Sequence, residues 1–226
     1  MSEEVNRSFS GLLVECPDHK IGREDLVGCR GLSFAGPFAG RWESFSFESH
    51  EPLAGEDARV AAPPYKYRIL IRRSGVRLLL LSNHKDVAEQ VLGLLQPLFR
   101  PRLRGVKIGV DQLVKSLTQK PTSYVLSFAH ARVPAFGAVL RAISFYGDDI
   151  GDASLFRQQL NLMVFHTCGL REARGGPEIL RLGSDGTVSF FLHSPAKALE
   201  VEDVLRFLRS EGYLSTDIVD SSPGED

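Results

Sequence analysis

An α+β fold is predicted, mainly antiparallel sheet built from two pseudo-repeated hairpin-plus-helix halves. Three observations predict it: period-two apolar runs that reach tight-turn dipeptides, a helical pattern directly after each, and the return of that unit about 112 residues later. In the first unit, residues 67–75 (YRILIRRSG) are followed by 76–82 (VRLLLLS). In the second, 178–186 (EILRLGSDG) is followed by 188–194 (VSFFLHS). Ser74-Gly75 and Asp185-Gly186 suit hairpin turns because glycine accepts positive φ.

Each second strand ends at a serine that opens a helix. Ser82 caps through its side-chain oxygen, and Ser194 caps ahead of Pro195 at the first helical position. Val87, Val91, Leu94, Leu95 and Leu98 form the apolar face of the first helix. Val201, Val204, Leu205 and Leu208 form that of the second, with Gly212 as its stop.

The remaining segments fill in around these units. Residues 10–15 and 41–50 read as strands, as do 122–133, 138–147 and 161–167. Residues 104–119 (RGVKIGVDQLVKSLTQ) read as a short strand and helix. Segments 51–64 and 169–177 are rich in Gly, Ala, Pro and charge, and are expected to be loops. The Phe-Ala-Gly pairs of 33–42 (SFAGPFAGRW) are expected to pack over a sheet edge. The divisions are 1–100 (first half), 101–120 (basic connecting segment), 121–215 (second half) and 216–226 (disordered tail), within what can be one compact domain.

Charge is distributed unevenly. Residues 61–120 hold twelve Lys and Arg against three acids, although the chain of 226 residues carries a formal net charge of -1. Such asymmetry is a signal about partners rather than about fold. Three cysteines form no disulfide framework, aliphatic runs are too short to span a membrane, and no secretory signal is seen. A cytoplasmic, reducing location is therefore expected, with no membrane association.

The basic centre supplies the candidate site. Lys66, Arg68 and Arg72 share one face of a strand, and Arg73 and Arg77 lie at or past its turn. Arg100, Arg102 and Arg104 are spaced by two, with Lys107 just beyond. Arginines in such a row suit phosphate contacts and carry no base reading of their own. The expected function is a non-catalytic binding protein or complex subunit that contacts nucleic-acid phosphates. The alternatives are an assembly subunit binding an acidic protein surface, as a homo- or hetero-oligomer, or a metal-dependent phosphoryl-transfer enzyme. The blandest reading of the same charges is a solvated sheet face paired with the acidic flanks.

Other patterns carry less. Tyr146-Gly-Asp-Asp149 after an apolar strand resembles the metal-binding hairpin of template-dependent polymerases, which implies Mg²⁺ held by Asp148 and Asp149 with Asp111 as a third ligand. We read it as an acidic loop before a helix at 153–160. Cys16, His19 and Cys29 lack the fourth ligand of a structural zinc site. His166 and Cys168 share a strand face, as a base and a nucleophile would, but no orienting group is evident. No cofactor is expected.

Overall fold

The leucine run 78–81 does not alternate with polar residues because its strand is covered on both faces. Leu78 and Leu80 belong to one buried cluster and Leu79 and Leu81 to another. The computed structural model describes residues 7–16, 20–49, 65–74, 77–82, 85–98, 103–120, 122–134, 142–192 and 195–216. The strands are β1 (Arg7–Glu15), β2 (Leu32–Ala39), β3 (Trp42–Ser49), β4 (Tyr65–Ser74), β5 (Arg77–Ser82), β6 (Arg104–Ile108), β7 (Tyr124–Arg132), β8 (Ala142–Tyr146), β9 (Val164–Glu172), β10 (Leu180–Gly183), β11 (Thr187–Leu192) and β12 (Leu214–Thr216). The helices are α1 (Arg23–Val27), α2 (Lys85–Leu95), α3 (Val110–Gln119), α4 (Ser154–Gln159) and α5 (Pro195–Ser210).

Among the described residues, the pairing runs β2-β3-β4-β5-β1-β11-β10-β9-β7-β8, antiparallel throughout. The molecule is thus a mixed α+β protein with one large antiparallel sheet. β1 lies in the middle, with β5 on one side and β11 on the other. Beyond the end of β11, β1 pairs with β6 through Val14 opposite Gly105 and Glu15 opposite Arg104, and β6 pairs in turn with β12.

The turn between β10 and β11 inserts where β1 leaves β11 for β6. The Leu13 amide donates to Gly186 O at 3.0 Å, and a Cβ on Gly186 would lie 2.2 Å from Val106 O. Gly186 also has φ of +86°, so both space and conformation require glycine there.

Helices cover the sheet on both sides. α1 and α2 close one face of the first strands over Phe45, Ile69, Ile71, Leu78 and Leu80. α5 closes the opposite face with Val201, Val204, Leu205 and Leu208, against Leu13, Trp42, Leu70 and Leu79. α3 packs on β7 and β9 through Val110, Leu113 and Val114. In α2 the buried stripe is Val87, Ala88, Val91 and Leu95, while Leu94 and Leu98 are exposed, because the i, i+4, i+8 row leaves them off the sheet. No helix among the described residues is long and apolar enough to cross a membrane.

Two expectations change. Residues 33–39 do not lie over an edge but form the edge strand β2 itself, with register shifts on both sides of Gly36-Pro37. An edge strand tolerates proline because its outward amide needs no partner. The loop expected at 169–177 begins only after Glu172, since Gly169 and Leu170 are paired between β7 and β10. Segment 51–64 and the tail beyond Thr216 lie outside the described residues.

Candidate anion-binding cleft

Alternation along β4 separates the basic residues. Lys66, Arg68 and Arg72 share the α5 side with Leu70, and Arg73 shares the other side with Ile71. At the far end, Lys66 pairs with Glu48 at 3.1 Å. Arg68 donates from Nε to Ser44 Oγ at 3.2 Å and lies over the Phe38 ring. On the opposite side Arg73 grips the buried Glu43 through Nε (3.0 Å) and Nη2 (2.8 Å), and Arg23 pairs with the same carboxylate.

The other end of the α5 side is where cations converge. Across four strands the register runs Ser74, Arg77, Glu15, Arg104, so one carboxylate stands between two arginines. Arg77 Nε donates to Glu15 Oε2 at 2.7 Å. Arg72, two residues inward on β4, meets α5 at Glu202, with Nε to Oε1 at 3.5 Å. Glu202 Oε1 also accepts from the Arg41 amide at 3.3 Å. One and two turns further along α5, Arg206 and Arg209 lie on the same helical face as Glu202.

These side chains line a cleft of about 190 Å³ floored by Leu13, Leu205 and Leu214, with Arg41, Arg72, Arg77, Arg206 and Arg209 around it. Five arginines and one carboxylate, Glu202, line it; Glu15 and Asp203 pair with Arg77 and Arg206 from outside the lining, so positive charge is in excess. Burial pulls the Arg72 pKa below its ordinary value. Glu202 opposes this, and the neighbouring Arg41 and Arg206 lower it further. At 3.5 Å the Glu202 contact is an ion pair without a well-formed hydrogen bond. Arg72 Nε and Arg77 Nη1 are buried and have no hydrogen-bond partner among the described residues. Two buried donors facing an excess of positive charge call for an acceptor that is itself anionic.

The structure therefore brings Arg72 and Arg77 together at the cleft, with Arg104 across β1 from Arg77. Lys66 and Arg68 stay on the same side but further along β4, and Arg73 lies behind the sheet. Lys107 is exposed on β6, opposite Ser215 of β12 and on the face away from Val106 and Ile108. Arg100 and Arg102 lie outside the described residues. Sequence reasoning missed Arg41, Glu202, Arg206 and Arg209. The i, i+4, i+7 spacing on α5 was visible, but not the sheet face that α5 covers.

The acidic and thiol candidates are placed elsewhere. Asp111 ties α3 to β9, taking Lys115 Nζ at 2.7 Å and the Phe165 amide at 3.1 Å. Asp148 pairs with Arg171, and Asp149 precedes the 3₁₀ turn Ile150–Asp152. The described residues contain no group of three His, Cys, Asp or Glu able to hold a metal ion. Cys16 and Cys29 are buried under α1 and α2; His19 lies outside the described residues. Cys168 is fully buried, and burial, with Glu178 adding to it, pushes its thiol up to about 12, which makes it a poor nucleophile. Ellman's reagent is expected to find no fast thiol in the native protein and all three in denaturant. The fold favours the neutral Cys168 thiol. Its contribution to stability is present below the ordinary 9.0 and is lost as pH climbs towards 12, which an alkaline titration followed by circular dichroism checks.

No protein-family model matches this chain, and no curated protein matches it.

Proposed function

We propose that this is a non-catalytic binding protein of the cytoplasm, a complex subunit that contacts the phosphates of a nucleic acid. The observation that carries the reading is the arginine cleft. Arginines from β4, β5, α5 and the β2–β3 turn converge there, and two of their buried donors have no hydrogen-bond partner among the described residues. Arg104, on the same sheet face, extends the basic surface along β6. We further propose that the two halves are copies of one unit. Each closes with a hairpin and a helix (β4–β5–α2, β10–β11–α5), and β6–α3 in the connecting segment repeats the strand-then-helix order of β1–α1.

A salt titration against short single- and double-stranded DNA and RNA tests the function. Affinity is expected to fall with salt, with a log–log slope of about 0.7 to 0.9 per phosphate contacted. Arg206→Gln with Arg209→Gln removes two exposed charges and should flatten that slope by roughly 1.5. Salt-independent binding, or a slope unaltered in the double variant, rejects the assignment. Binding to an acidic protein with no affinity for nucleic acid at low salt favours the other partner class.

A further inference from the structure

The cleft is a recess, and its shape restricts which phosphate can enter. An internal phosphodiester carries one charge and two free oxygens, and chain leaves it on both sides, so it can lie along a rim but not fill a pocket of about 190 Å³. A terminal phosphate has chain on one side only, presents three free oxygens, and carries about -1.5 to -2 at neutral pH. The cleft's excess of positive charge favours that dianion over a monoanion.

The donors are placed accordingly. Arg72 Nε and Arg77 Nη1 are the buried donors without a hydrogen-bond partner among the described residues, while Arg41 comes from the β2–β3 turn and Arg206 from α5. Donors converging from separate elements surround a compact, many-oxygen anion, whereas a flat carboxylate occupies only one fork.

From this geometry we infer that the cleft is a binding site for a terminal phosphate monoester. The inference rests on the anion-binding reading above and narrows it to one group. Two sources share that chemistry: the phosphorylated end of a nucleic-acid strand, and a free phosphorylated small molecule such as a nucleoside monophosphate. Leu13 and Leu205 give the recess an apolar side, against which charged hydrogen bonds are stronger than in open water.

The test uses the full chain and three probes: oligonucleotides identical except for a 5′-phosphate, a 3′-phosphate or free hydroxyl ends, adenosine monophosphate, and inorganic phosphate as competitor. Binding is read by anisotropy and calorimetry. A terminal phosphate is expected to tighten oligonucleotide binding at least tenfold, and inorganic phosphate should erase that advantage. Arg206→Gln should reduce the advantage severalfold, and Arg72→Gln should abolish it. Arg206 is an exposed position, so its substitution leaves the fold intact even where Arg72→Gln does not.

Nucleoside monophosphate binding without oligonucleotide binding supports the cleft, identifies the small molecule as the source, and removes the nucleic-acid reading. Equal affinity for phosphorylated and hydroxyl ends, with no competition by phosphate, overturns the inference. If that equal binding still weakens with salt, the broader reading survives alone.

Discussion

Trp42→Ala is expected to destabilise the protein by about 3–5 kcal/mol, the range for truncating a large aromatic in a packed core. Trp42 is fully buried and meets Phe190 edge to face at 5.9 Å, which ties β3 to β11 on the far side of β1. Its indole Nε1 donates to Ala198 O at 3.1 Å and so fixes the start of α5. Truncation opens a cavity and removes that hydrogen bond, while the Ala198 carbonyl keeps its place in the helical ladder, so the cavity is the main penalty. Trp42→Phe keeps most of the ring and loses the hydrogen bond, and should cost roughly 1–2 kcal/mol. Urea unfolding followed by circular dichroism separates the two. Equal losses in both variants contradict the packing account. Trp42 is also the chain's single tryptophan, so its emission reports unfolding of this core without interference from another indole.

Gly11→Ala should be of comparable size for the opposite reason. A Cβ at Gly11 would sit 1.7 Å from the Leu80 carbonyl oxygen, which is backbone and cannot swing aside. β1 cannot retreat either, since β11 pairs with its other edge over Arg7 to Leu12. The substitution must break the β1–β5 ladder locally, at a cost on the order of 3 kcal/mol or more. For a chain of this size that corresponds to a drop of about 6–12 °C in Tm. A melting point within about 2 °C of the parent protein contradicts this geometry.

The parts legible in the sequence were those set by local chemistry. The hairpin at Ser74-Gly75 and the one at Asp185-Gly186 carried their turn residues, and α5 carried its apolar row from Val201 to Leu208 with Gly212 to end it. Relations between distant segments were not legible. Nothing in residues 7–15 marks them as the partner of β5, β6 and β11 together, because a central strand and an edge strand differ little in composition. The segment 169–177, with three glycines, resembles a loop, yet Gly169 is small for a reason only packing reveals. A Cβ there would press on Glu178 and Phe128. The candidate site divided along the same line. Arg72 and Arg77 stood out in a basic run, whereas Arg41 and Arg206 sit among acids in sequence and join the cleft only because α5 crosses the β4–β5 end of the sheet.

The placement of β1 has a kinetic consequence. Of all the strands described it leaves the ribosome earliest, and Arg7 is nonetheless opposite Leu192 in the finished ladder. While most of the chain is still being made, β5 and β6 can pair with the later part of β1, but the edge from Arg7 to Leu12 that β11 will cover remains an open template. Completion waits for the β10–β11 hairpin, whose arrival closes a loop of nearly the whole chain. Contacts this far apart make refolding slow. During synthesis the half-paired intermediate is the stage most exposed to strand addition from a neighbouring nascent chain.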